Sequence, residues 1–192
     1  HRDLHSFPTR RSSDLGMQNN HLQPVTAARA LVVCIGNELV ADDAVGHAVF
    51  TQLAELGLPG NVRLEYCGVG GIALLELLTG QEELMIVVDA VQLGDPIGTV
   101  RLWSWDELPV LEGGSAISAH GIGLKDTLVI GRTLYPERMP RQILLVGVEG
   151  RCFDQLGSAM SPEVAAAVPL AVAAICKELN LTLLPNQAGD QP

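Results

Sequence analysis

The stretch LVVCIGNELVADDAVG, Leu31 to Gly46, decides how the chain is read. Leu31, Val32, Val33, Cys34 and Ile35 form an apolar run without polar alternation, the pattern of a strand covered on both faces in a parallel sheet. The run stops at Gly36-Asn37 and hands on two adjacent acids, Asp42 and Asp43, before a helix begins. In open α/β sheets ligands bind in the crevice at the carboxyl ends of the strands, so carboxylates delivered there are candidates for chemistry. Acids near a helix N-terminus also satisfy free N–H groups and the backbone dipole, and either acid read alone favours that capping role. The stretch by itself does not choose between Asp42 and Asp43.

A second apolar run, Leu84 to Val88, ends directly on Asp89 and repeats the arrangement. Two strands of one sheet that each deliver an acid bring both acids to one crevice. Close carboxylates repel unless a proton or a metal lies between them, so the pair points to cation binding or acid/base work. His120 lies in Ser118-Ala119-His120-Gly121-Ile122-Gly123-Leu124, among small residues at a helix start. There it is poorly placed to pack in a core and well placed to reach out. One acid of the first pair, Asp89 and His120 form the candidate set.

The remaining pattern is that of an α/β domain. Val45, Ala48, Val49, Leu53 and Leu56 fall close to helical spacing within Ala44 to Leu56, and Gly57 with Pro59 ends that helix. Val62 to Cys67 alternates as a strand and breaks at Gly68-Val69-Gly70-Gly71; a short helix over Ile72 to Leu78 follows, closing at Gly80. The glycine cluster lacks both the Gly-Lys-Ser/Thr ending and the Gly-x-Gly-x-x-Gly spacing, so it predicts backbone passing close beside a crevice and no nucleotide. The loop Gln92 to Gly98 is too short for a crossover helix, so Thr99 to Trp105 is predicted antiparallel, at or near a sheet edge. Asp106 to Ser118 reads as loop, Leu124 to Leu134 as helix and Gln142 to Val148 as the last core strand. Ser161-Pro162-Glu163 opens a long helix, with Ser161 as cap, and Pro169 is expected to bend it.

Composition bounds the partners. The 192 residues are 47% hydrophobic, enough for one cored domain, and no apolar run approaches the roughly 18 residues of a membrane span. The first 30 residues hold four Arg and two Asp, leaving 8 basic and 20 acidic side chains and a charge near −12, which argues against nucleic acid. Cys34, Cys67, Cys152 and Cys176 include no Cys-x-x-Cys pair and read as reduced residues of a cytoplasmic protein. His1 to Gly16, HRDLHSFPTRRSSDLG, has no periodicity, and its FPTRRSSDL resembles a translated sequencing-adapter artefact; residues 1–16 are expected to be a non-native extension. Residues 17–28 are expected to be a flexible lead-in, 29–184 the domain and 185–192 a disordered tail.

GNELVADDAVG at Gly36 to Gly46, GVGGIALLELL at Gly68 to Leu78, VVDAVQLGDPIGTV at Val87 to Val100, SAHGIGL at Ser118 to Leu124 and GVEGRCFDQLGSAMSPEV at Gly147 to Val164 together resemble the NiFe-hydrogenase maturation endopeptidases. The ordered set spans the chain from about Arg29 to Leu179 and is far more specific than any one motif. The resemblance implies a single three-layer α/β domain: a twisted, mixed, mostly parallel sheet of about five strands, helices on both faces and one antiparallel strand. It implies an aspartic-type endopeptidase that removes the C-terminal peptide from the nickel-loaded large-subunit precursor of a NiFe hydrogenase. Nickel would be supplied by the precursor, with no nucleotide, nucleic acid or membrane involved. By motif, the family's metal-binding positions fall on Asp43, Asp89 and His120. This chooses Asp43 over Asp42 and leaves Asp42 to support the loop. Ala44 stands where Gly is common, and Asp43 where some members carry Glu. His47, one helical turn beyond Asp43, could share a face and a metal with it, but is expected to stand behind the ligands or on the surface. The rival expectation is a non-catalytic metal-sensing or chaperone module that binds the precursor uncut. No His-Glu-x-x-His or Gly-x-Ser-x-Gly supports a zincin or serine hydrolase.

Overall fold

The computed structural model describes residues 29–68, 70–107 and 123–181. The expectations for residues 1–28, for the loop 108–122 with His120, and for the tail beyond 181 lie outside these residues.

Five strands, β1 (Ala30–Cys34), β2 (Val62–Tyr66), β3 (Leu84–Val91), β4 (Val100–Ser104) and β5 (Gln142–Glu149), form one sheet in the order β2-β1-β3-β5-β4. All pairs are parallel except β4 with β5, and β4 takes the edge as expected. The continuous apolar runs have a direct cause: both faces are covered, so alternate residues of one strand enter different cores. Val32, Cys34, Ile86 and Val88 pack under α1 (Val45–Leu56) and α4 (Pro162–Glu178). Leu31, Val33, Met85 and Val87 pack under α2 (Ala73–Glu76) and α3 (Leu124–Leu134). Each such side chain, fully withdrawn from water, contributes about 1.5–3 kcal/mol.

The chain leaves β1 for β2 on one side and returns to β3 on the other. The boundary between β1 and β3 is therefore the switch point of the sheet, where loops diverge and a crevice opens at the carboxyl ends. Their register pairs Cys34, the last residue of β1, with Val88, so β1 leaves the sheet one residue before the level of Asp89.

Two local expectations change. The helix predicted over Ile72 to Leu78 is regular only from Ala73 to Glu76. The carbonyls that would continue it are taken by arginines: the Arg63 guanidinium donates to the Leu77 carbonyl and Arg138 Nε to that of Leu78 at 2.8 Å. β3 does not stop at Asp89 but runs to Val91, because β5 extends far enough to pair with it, Asp89 standing opposite Gly147. α4 runs from Pro162 to Glu178 with Pro169 inside it, on its exposed side.

Candidate functional site

The loop after β1 is wound tightly on itself. Gly36 has φ +143°, and a Cβ there would lie 2.1 Å from the Asp43 carbonyl oxygen, so only glycine allows the turn to close. The Asn37 N–H donates to Asp43 Oδ2 at 2.8 Å, and the Leu39 N–H to Asn37 Oδ1 at 3.1 Å, an Asx turn. Tyr66 at the end of β2 donates its hydroxyl to the Gly36 carbonyl at 2.6 Å. Ala41–Ala44 then forms a 3-10 turn that packs against β3. The glycine cluster closes the other side. The Gly36 N–H donates to the Gly68 carbonyl at 2.6 Å, and a Cβ at Gly70 (φ +64°) would meet Ile35 Cγ2 at 2.8 Å. This is the close backbone passage expected of that cluster.

The two acids separate in role. Neither caps α1, whose N-cap is Ala44 and carries no side-chain cap bond, so the capping reading is corrected. Asp42, fully buried, accepts from the backbone N–H groups of Arg151 and Cys152 (both 2.9 Å) and Ser161 (2.7 Å), and from the Ser161 hydroxyl at 3.0 Å. Burial pushes its carboxyl up, but these donors outweigh it and hold the group below the ordinary carboxylate range. Ser161 thus does not cap α4 with its side chain, as expected from sequence; the hydroxyl is spent on Asp42.

Asp43, in the 3-10 turn after β1, is 3% exposed, and Asp89, near the carboxyl end of the neighbouring β3, is 1% exposed. Asp89 shares the sheet face of Met85, Val87 and Val91, the face covered by α3. Leu124, the first residue of α3, follows His120 by four positions. Among the described residues no group of three or more His, Cys, Asp or Glu side chains is set to hold a metal ion, and the third expected ligand, His120, lies outside them. His47 pairs through Nε2 with Glu38 Oε2 at 3.2 Å.

Two buried acids, Glu82 and Glu149, escaped the sequence reading. Glu149, 3% exposed at the end of β5, accepts the N–H groups of Leu93 (2.9 Å) and Gly94 (2.8 Å) and so fixes the loop after β3. The same signal, an apolar strand ending on an acid, was present in QILLVGVE.

The fold is an open α/β sheet with two buried carboxylates, Asp43 and Asp89, near its switch point, the place where such sheets bind ligands. A family model described as hydrogenase maturation protease matches residues 48–178. The hydrogenase expression/formation protein HupD of Rhodobacter capsulatus is 33% identical over 153 residues, covering 79% of this chain and 71% of its own. Among solved structures, the hydrogenase maturating endopeptidase HybD from E. coli aligns with a TM-score of 0.66 at 26% identity, over 79% of this chain and 92% of that one. The NiFe-hydrogenase maturation protease HybD from Thermococcus kodakarensis aligns at 0.64 with 30% identity, over 79% and 98%. The chain belongs to the hydrogenase maturation protease family. It is a peptide-bond hydrolase of that family, and a non-catalytic chaperone module is not favoured.

Proposed function

We propose that this protease removes the C-terminal peptide from the nickel-loaded large-subunit precursor of a NiFe hydrogenase, with Asp43, Asp89 and His120 as the residues that meet the substrate's nickel. The observation that carries the reading is the burial of Asp43 and Asp89 at the one switch point of the sheet, each delivered by an apolar core strand. Two carboxylate oxygens and an imidazole are a donor set that a divalent nickel ion accepts. Nickel enters as part of the substrate, so cleavage tests whether the precursor has been loaded. In this reading Asp43 and Asp89 supply charge and acceptors beside the scissile bond, the sense in which the enzyme is aspartic-type. Asp42 keeps its structural bonds and takes no part in the chemistry. No helix of the described residues is long and apolar enough to cross a membrane, and we place the enzyme's work in the cytoplasm.

The test is mass spectrometry of a nickel-loaded large-subunit precursor incubated with the full chain. Loss of a C-terminal peptide is expected with wild type, and none with Asp43→Asn, Asp89→Asn or His120→Ala. Wild-type processing by all three variants would remove the site assignment; an uncut, stable complex with the wild-type chain would remove the peptidase reading.

A further inference from the structure

We propose that His47 is a positioning residue: paired with Glu38 and braced on Tyr66, it holds the loop 36–43 in the shape that sets where the Asp43 carboxylate lies. The inference rests on the reading of Asp43 as a site residue. Asp43 Oδ2 is held by the Asn37 N–H at 2.8 Å, so the place of that carboxylate depends on where Asn37 stands. Asn37 is flanked by two residues tied to one aromatic cluster. On one side the Gly36 carbonyl accepts the Tyr66 hydroxyl at 2.6 Å. On the other, the Glu38 carboxylate reaches His47 Nε2 at 3.2 Å. His47 lies edge-on to Tyr66, ring centroids 5.0 Å apart, and stacks on Phe50 at 6.4 Å, so both ties lead to the same support. The far half of the loop is held separately, by the Val40–Leu156 bridge and the Gly157 N–H donated to the Leu39 carbonyl at 2.7 Å. His47 and Glu38 are therefore a side-chain tie of the near half, beside that of the Tyr66 hydroxyl.

The pair is also the wrong kind of contact to serve global stability. Its side chains are 37% and 53% exposed, and ion pairs so open to water contribute little to folding. What it does is fix the loop against the first turn of α1, a helix whose inner face is buried in the core, and small displacements of a reacting group cost far more in rate than in stability.

The experiment uses the full chain with His47→Ala, His47→Gln, Glu38→Ala and the Glu38→Ala/His47→Ala double variant, beside Asp43→Ala. Two readouts are taken: amide hydrogen exchange at Asn37 by NMR, and kcat and KM for processing of nickel-loaded large subunit. For His47→Ala, Asn37 exchange should rise about tenfold and kcat fall about tenfold, with KM and the thermal midpoint nearly unchanged. His47→Gln, which retains a donor for Glu38, should recover most of both. The double variant should be no worse than the poorer single. Unchanged Asn37 exchange, a loss confined to KM, or additive losses in the double variant would each overturn the proposal. Wild-type activity in Asp43→Ala removes this inference together with the site reading. An inactive Asp43→Ala beside a normal His47→Ala removes this inference alone.

Discussion

The carboxylate of Asp42 accepts both the backbone N–H of Ser161, at 2.7 Å, and its hydroxyl, at 3.0 Å, across 119 residues of chain. With the Arg151 and Cys152 N–H groups on the same carboxylate, one buried acid joins the turn after β1, the segment after β5 and the start of α4. The acid beside the candidate ligand is thus the joint on which the site is mounted.

Removing that acceptor leaves four donors without their partner at a half-buried joint. Asp42→Ala is expected to lower the unfolding free energy by about 3–5 kcal/mol and Asp42→Asn, which retains one oxygen, by about 2 kcal/mol. Urea unfolding followed by circular dichroism measures both. A loss below that expected of a surface substitution would contradict the joint.

The same bonds set a pH dependence. Asp42 is held below the ordinary carboxylate range, and so is Glu82, where burial is outweighed by the Thr79 hydroxyl, backbone N–H groups and Arg63 at 3.3 Å. A folded-state pKa below the unfolded one means that the unfolded chain binds protons first as pH falls. The stabilisation is complete above the unfolded carboxylate values, about pH 5 and upward, and is lost as pH drops through the folded values. Unfolding free energies between pH 3 and 7 should show this acid decline, with a shallower slope in Asp42→Asn and in Glu82→Gln.

Gly36 tests the loop geometry independently of any charge. A Cβ at 2.1 Å from the Asp43 carbonyl oxygen forces the acid-bearing turn to move, so Gly36→Ala should cost roughly a hundredfold in kcat/KM for precursor processing. Gly60→Ala is the control, since a Cβ there meets nothing within 4 Å. Equal activity of the two variants would show that the turn has room that the packing denies.

Thiol chemistry reports on the core. Burial pushes the Cys34 thiol up to about 12, and only the thiolate alkylates, so its reactive fraction at pH 8 is about one in ten thousand. Cys152 is half-buried and lies outside the strands. Native iodoacetamide labelling read by mass spectrometry should modify Cys152 well before Cys34, with all four cysteines labelled after denaturation. Early modification of Cys34 would mean that β1 opens to solvent.

What the sequence made legible was the part governed by local pattern. Unbroken apolar runs placed β1 and β3 as doubly covered strands, since burial on both faces removes the polar alternation. The helical spacing at Leu124 to Leu134 carried α3 to its observed bounds, and Ser161-Pro162 marked the start of α4. Less legible were features whose partners lie elsewhere in the chain: the length of β3, drawn past Asp89 by β5, and the shortness of α2, just beyond which the Leu77 and Leu78 carbonyls accept from Arg63 and Arg138.

The sequence by itself determined the α/β class, the antiparallel edge strand, and the delivery of acids from two core strands, because hydrophobic period and strand-ending residues are properties of contiguous chain. Local pattern left the adjacent acids Asp42 and Asp43 undivided, and the family resemblance gave Asp42 the structural role; the tertiary structure supplied the physical reason. Three backbone N–H groups and a hydroxyl from more than 100 residues away converge on the Asp42 carboxylate. Hydrogen-bond partners so distant leave no trace in a local pattern, since they are brought together only when β1, β5 and α4 pack.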